Sequence, residues 1–267
     1  MERVPALGFI GRLLPWAKAG HAKSIVAAET EFEAVSARWK ALEEERVQKL
    51  AQLQAAYTRE REEFLAEVRQ RNAEVDEFEA EYKAGDPEAV VAYCSMVLER
   101  SEYPDGFPQD FQLRYLPESK QLLVEYELPA KSIVPETSEY KFTKNKDSID
   151  TRVRKASEIK DLYAGVITGV CLRTLHELFE ADTGKHIELV LFNGFVNDVN
   201  KGTGRDVKAY VISIRADKAT FNDLDLSRID KKTCLKNLGA RMSTRPEELQ
   251  EIQPYSEFDL INKRSLG

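Results

Sequence analysis

The chain has 267 residues, with 39 Lys+Arg against 46 Asp+Glu, a net charge of −7, and it is 42% hydrophobic and 32% charged. That length fits one large or two ordinary domains, and the hydrophobic fraction can supply a core. The acidic balance disfavours a binder that holds nucleic acid by bulk charge and leaves room only for a local basic face. Three cysteines at unpaired spacing exclude a disulfide scaffold and favour a reducing, cytoplasmic location. No run approaches the ~18 apolar residues of a spanning helix, so no membrane span is expected.

Residues 1–20 read as a short cap segment. The apolar fragment Ala6-Leu7-Gly8-Phe9-Ile10 is interrupted by Arg12 and bracketed by Pro5 and Pro15, too short for a secretory signal. Trp16, Lys18 and Arg12 beside it leave a peripheral membrane anchor as the minor alternative.

Residues 21–84 contain neither Gly nor Pro, 64 residues with 15 acids and 10 bases. As one helix they would reach about 96 Å at ~1.5 Å per residue. Phe32, Val35, Trp39 and Leu42 recur at 3-4 spacing, and after a break the pattern resumes at Leu50, Leu53, Tyr57, Phe64 and Val68. Such a break is a stutter that locally unwinds a left-handed supercoil. A single long helix cannot bury its own stripe, so the segment predicts a coiled coil. Its self-association seam is Phe32, Val35, Trp39, Leu42, Leu50 and Leu53.

Gly85-Asp86-Pro87-Glu88 closes that helix and opens another, with Asp86 as N-cap, Pro87 at the first helical position and Glu88 at the positive helix end. Val90, Val91, Cys94, Val97 and Leu98 give it a buried face as far as about Arg100. The period then falls to two. Phe111, Leu113 and Tyr115 form one arm and Leu122, Val124, Tyr126 and Leu128 the other, around a turn at Pro117-Glu118-Ser119-Lys120. Tyr140 and Phe142 suggest a third short strand. A helix follows, starting between 151 and 158, with Gly165 and Gly169 one turn apart, a spacing that predicts close approach to a neighbour. Strands over 187–196 and 207–214 flank a hairpin loop at 200–205. Asp230 caps a short helix ending near Gly239, and Thr244-Arg245-Pro246-Glu247 starts another. The expected class is α+β: a long N-terminal coiled-coil helix followed by a mainly antiparallel sheet packed with helices, over segments 1–20, 21–84 and 85–267.

Catalytic patterns are sparse. His21, His176 and His186 form no metal-protease pair, and Cys94, Cys171 and Cys234 read as buried structural thiols. His176-Glu177 reads as a solvated pair. Gly202-Thr203-Gly204 lies between strands, where a phosphate loop would need a following helix. Asp105, Glu125, Glu139 and Lys141 mimic parts of a metal-dependent nuclease, which needs acids to hold Mg²⁺ and a Lys to polarise water or phosphate. The stretch 137–160 is locally basic, net +3. Lys141, Lys144, Lys146, Arg152, Arg154 and Lys155 are its candidate DNA phosphate contacts, set in a linker and helix start.

Several phrases resemble the region that precedes the nuclease core in bacterial Mrr-type restriction endonucleases. They are Gly85-Asp86-Pro87-Glu88-Ala89-Val90-Val91, Tyr103-Pro104-Asp105-Gly106-Phe107-Pro108, Leu123-Val124-Glu125-Tyr126-Glu127-Leu128-Pro129 and Leu172-Arg173-Thr174-Leu175-His176-Glu177-Leu178-Phe179. Val190-Leu191-Phe192-Asn193-Gly194, Cys234-Leu235-Lys236-Asn237-Leu238-Gly239-Ala240 and Glu257-Phe258-Asp259 continue the likeness. It covers roughly 85–262. It implies an antiviral restriction context, DNA association, and a nuclease domain supplied in cis or in trans. The family's catalytic Asp and Gln-x-Lys are not matched here, so no active site is carried over, and Mg²⁺ is expected only with a nuclease core present elsewhere. The leading expectation is a noncatalytic assembly and DNA-positioning module. The alternatives are a metal-dependent DNA endonuclease with a cryptic site and a purely structural coiled-coil adaptor.

Overall fold

A computed structural model describes residues 4–10, 12–144, 147–200 and 202–256. The chain divides into two compact units, Met1–Val75 and Asp76–Gly267. The candidate contact Lys146 and the phrase Glu257-Phe258-Asp259 lie outside the described residues.

Helix α1 spans Pro15–Ala84. It begins within the expected cap segment, with Pro15 at its first position, where a missing N–H costs nothing. Gly20 does not break it. Within the first unit its charges are laced along the surface, as in Arg46 with Glu43 at 2.6 Å and Arg59 with Glu63 at 4.0 Å. Exposed pairs of this kind add little stability. Among the described residues no helix is long and apolar enough to cross a membrane.

The second unit is mixed α+β. Helix α2 (Pro87–Glu99) starts as its sequence dictates: the Asp86 carboxylate accepts from the N–H groups of Glu88 and Ala89. Strands β1 (Phe111–Leu116) and β2 (Gln121–Glu127) are joined by a 3-10 turn at Pro117–Ser119. Strands β3 (Thr137–Thr143) and β4 (Ser148–Val153) precede helix α3 (Ala156–Ala181). Strands β5 (Leu189–Asn200) and β6 (Arg205–Asp217) are followed by helices α4 (Lys218–Asn222) and α5 (Lys231–Asn237) and the short strand β7 (Arg241–Met242). Asp230 caps α5 through the Thr233 N–H, and Gly239 follows at φ +80. The helix expected after Thr244 is a single 3-10 turn, Pro246–Glu248.

The main sheet has the order β1-β2-β5-β6-β7. Three pairings are antiparallel and the central β2–β5 pair is parallel. The parallel pair is a consequence of α3, because two parallel neighbours require a crossover connection. Leu122, Val124 and Tyr126 of β2, Val190 and Phe192 of β5, and Ile212 and Ile214 of β6 are buried toward one core. Ile167, Val170, Cys171, Leu175 and Leu178 of α3 and Val90, Cys94 and Leu98 of α2 complete it. All three cysteines are free and buried, and burial pushes the Cys94 thiol up to about 12. Asp182 closes α3: its buried carboxylate accepts from the N–H groups of His186 and Ile187 and from Lys218 Nζ at 2.6 Å.

Two expectations are corrected. The stretch 137–160 is not a linker: beside the expected strand around Tyr140 and Phe142 it holds a second strand, β4, the two form a separate hairpin, and α3 begins at Ala156, within the expected 151–158. Glu177 is not solvated either. It accepts from Ser101 Oγ at 2.8 Å and from Arg173 Nε at 2.7 Å, while the Arg173 guanidinium lies 4.5 Å from the Tyr103 ring.

The glycines differ in what surrounds them. A Cβ on Gly194 would lie 2.6 Å from Leu128 and 2.7 Å from Ile212, where β5 carries a register shift. A Cβ on Gly169 would meet only the Lys231 amine, at 3.2 Å, and one on Gly165 would meet nothing within 4 Å. The predicted close approach therefore fails at Gly165. Gly194→Ala should lower the unfolding free energy by about 1–3 kcal/mol through overpacking. Gly165→Ala should raise it by about 1 kcal/mol, because the helix gains propensity with no clash. Urea denaturation of the two variants checks the contrast, and equal effects would contradict it.

Candidate interaction surfaces and a polar cluster on the sheet

The expected seam residues Phe32, Val35, Trp39, Leu42, Leu50 and Leu53 all lie on α1 and are all exposed, Trp39 at 65%. Tyr57, Phe64 and Val75 continue the apolar positions and are exposed as well.

The basic candidates gather on and beside the β3–β4 hairpin. Its register sets Phe142 opposite Ile149, Tyr140 opposite Thr151, Lys141 opposite Asp150 and Glu139 opposite Arg152. Side chains alternate between the faces of a strand, so the hairpin is two-sided. One face carries Tyr140, Phe142, Ile149 and Val153, each more than half exposed. The other carries Glu139, Lys141, Asp150 and Arg152, and Asp150 also accepts from Thr143 Oγ1 at 2.6 Å. Lys144 is exposed in the turn and Lys155 precedes α3. Arg154 is already engaged: its Nε donates to the Pro135 carbonyl and its guanidinium pairs with Glu158. Of the expected phosphate contacts, Lys141, Lys144, Arg152 and Lys155 keep exposed side chains, two of them facing a carboxylate across the hairpin.

The nuclease-like residues are dispersed. Asp105 is exposed in the turn after α2, Glu125 is on β2 of the main sheet, and Glu139 and Lys141 are on β3 of the separate hairpin. Among the described residues no group of three or more His, Cys, Asp or Glu could hold a metal ion. The loop before Gly204 joins β5 to β6, a strand-to-strand turn with Gly204 at φ +65.

Sequence reasoning missed a polar cluster on the sheet face away from α3. Glu125, Asn193 and Ser213 occupy one row across β2, β5 and β6. Asn193 Nδ2 donates to Glu125 Oε1 at 2.8 Å and Ser213 Oγ donates to Asn193 Oδ1 at 2.6 Å. Tyr210 OH donates to the other Glu125 oxygen at 2.6 Å, and the Lys208 amine stands 3.7 Å from that oxygen and 3.7 Å from the centre of the Phe195 ring. Burial and the neighbouring Glu125 carboxylate push the Tyr210 hydroxyl pKa upward. The C-terminal segment is tied to this cluster: the Tyr255 N–H donates to Ser213 Oγ, the Tyr255 carbonyl accepts from Asn193 Nδ2, and Arg241 lies 3.8 Å over the Tyr255 ring. The available signal was an Asn and a Ser in the middle of apolar strands, two polar interruptions that match only once the register is known. Buried polar groups are costly unless bonded, and here each has a partner.

The cluster fastens a strap of chain to the sheet and has the character of an internal joint. Asn193→Ala would strand Glu125 Oε1, the Ser213 hydroxyl proton and the Tyr255 carbonyl at once, and should cost about 1–3 kcal/mol. Asn197→Ala, which removes an exposed bond to Glu127 Oε2, should stay within about 0.5 kcal/mol. Urea titrations of both variants decide it, and a neutral Asn193→Ala would remove the cluster's structural role. No protein-family model, curated protein or solved structure matches the chain.

Proposed function

We propose that the chain is a noncatalytic assembly module in which α1 joins copies through a coiled-coil seam while the α+β unit positions a nuclease partner on DNA. The carrying observation is the stripe Phe32, Val35, Trp39, Leu42, Leu50 and Leu53, all exposed along α1. The resemblance to Mrr-type restriction endonucleases supplies the nuclease partner, in cis or in trans, and the defence setting. Three free, buried thiols fit a reducing cytoplasm. The dispersal of Asp105, Glu125, Glu139 and Lys141 over separate elements favours this reading over a cryptic endonuclease.

DNA contact rests on the exposed cations Lys141, Lys144, Arg152 and Lys155. With Glu139 and Asp150 on the same hairpin face, binding is weak, tolerant of sequence and strongly dependent on salt. Each phosphate neutralised adds about 0.9 to the slope of log K against log salt. Changing Lys141, Lys144 and Arg152 together to Gln should flatten that slope by about 3 on every duplex tested. Unchanged affinity and slope would leave the purely structural adaptor reading ahead.

For assembly, light scattering at micromolar concentration should give at least a dimer. Val35→Asp combined with Leu53→Asp should reduce it to a monomer, since an unpaired charge in a closed seam costs several kcal/mol. A monomeric mass for the unsubstituted chain would refute the seam.

A further inference from the structure

The second unit carries two unsatisfied surfaces of its own. The first is the apolar face of the β3–β4 hairpin, Tyr140, Phe142, Ile149 and Val153. A lone two-stranded hairpin is marginal in water, and burying such a face is what would hold it. The second is an open groove of about 720 Å³ along the first turns of α3, floored by Leu162, Gly165 and Val166 and walled by Tyr103 and Phe107. Leu162 is 42% exposed within it, and the space beside Gly165 is empty.

No hairpin residue lines the groove of its own chain. The hairpin is instead held at the start of α3 by Arg154, which bonds the Pro135 carbonyl behind it and Glu158 ahead of it. The charges are complementary at one end of the two surfaces. The groove lining includes Lys231 near Gly169 and Glu158, which Arg154 already pairs, and at the Leu162 end it offers Asp161, an exposed carboxylate with no ion pair among the described residues. The hairpin carries Lys144 at its turn, exposed and likewise without an ion pair among the described residues, while Lys141 lies on the opposite face across from Asp150.

We propose that the apolar face of the β3–β4 hairpin of one copy docks into the α3 groove of a second copy, with Tyr140 and Phe142 seated over Gly165 and Leu162 and Lys144 directed to Asp161. Both halves of the contact are present in every chain, so no other partner is needed. Aromatic side chains of this kind each bring about 150–250 Å² of coverable surface, the usual anchors of an interface. The contact is of the hairpin-to-groove type, so it closes when two copies exchange hairpins and propagates when they do not. It is separate from the α1 seam. Where the seam holds two chains together, it raises the local concentration at which the hairpin meets the groove.

The test mixes two full-length chains, one carrying Phe142→Cys and the other Leu162→Cys, with a short bismaleimide. Both positions are exposed, so the substitutions leave the fold intact. The native thiols are buried, and the unsubstituted chain measures their background. A covalent heterodimer several-fold above either variant alone is expected. It should disappear when Gly165→Phe is added to the groove chain, which fills the space the hairpin would occupy. Two results overturn the proposal. One is no heterodimer above background; if light scattering still gives a dimer, the seam stands and this contact alone falls. The other is protection of the Phe142→Cys thiol by a single-stranded 20-nucleotide DNA that also abolishes cross-linking, which would assign the hairpin face to nucleic acid. A heterodimer from chains that are monomeric by dilute light scattering would support the contact and refute the seam.

Discussion

The parallel pairing of β2 with β5 is the constraint on which the second unit depends. Hydrogen-bonded parallel neighbours cannot be joined by a tight turn, so the chain must leave the sheet after β2, cross it and return. Helix α3 is that crossing, and its apolar face with Ile167, Val170, Leu175 and Leu178 covers the sheet it spans. The β3–β4 hairpin is inserted into the same crossing. It pairs with itself because the positions beside β2 are already taken by β1 and β5. The core, the hairpin's independence and the groove along α3 all follow from one topological requirement.

The molecule divides its apolar surface unequally. In the second unit, Phe192, Ile212, Leu235 and their neighbours are sealed from water. On α1 the corresponding residues are presented outward, and charges along the same helix keep it solvated. Its acidic balance, 15 acids to 10 bases over 21–84, sets a long-range repulsion between copies that salt reduces over a screening length of ~8 Å at physiological ionic strength.

Much of the architecture was legible because local chemistry and fold agreed. Asp86 and Asp230 cap helices as their side chains dictate, Gly239 takes the left-handed position past α5, and the absence of Gly and Pro over 21–84 marks a continuous helix. The errors fall where the deciding partner is distant in sequence. Strand β4 was hidden because Ser148, Asp150 and Arg152 alternate with Ile149 and Val153 in a charged stretch, and only the pairing with β3 gives that alternation meaning. Gly165 and Gly169 share a spacing but not a neighbourhood, since α5 brings Lys231 to one and leaves the other open. The Glu125–Asn193–Ser213 row joins β2 to the β5–β6 hairpin across the whole of α3, so no local window contains it.

The strap around Tyr255 bears on the order in which the fold forms. Its anchors, Asn193 and Ser213, belong to strands that must already be in register before they present a donor and an acceptor to it. Pairing across long sequence separations is the slow part of folding, because loop closure is unfavourable until contacts repay it. The strap therefore seats last, on a finished sheet, and its backbone is protected only as long as that sheet is intact. Opening it frees Arg241 of β7 and the Asn193 and Ser213 side chains, while opening the sheet releases it at once. The Tyr255 amide thus reports on the integrity of strands far from it in sequence.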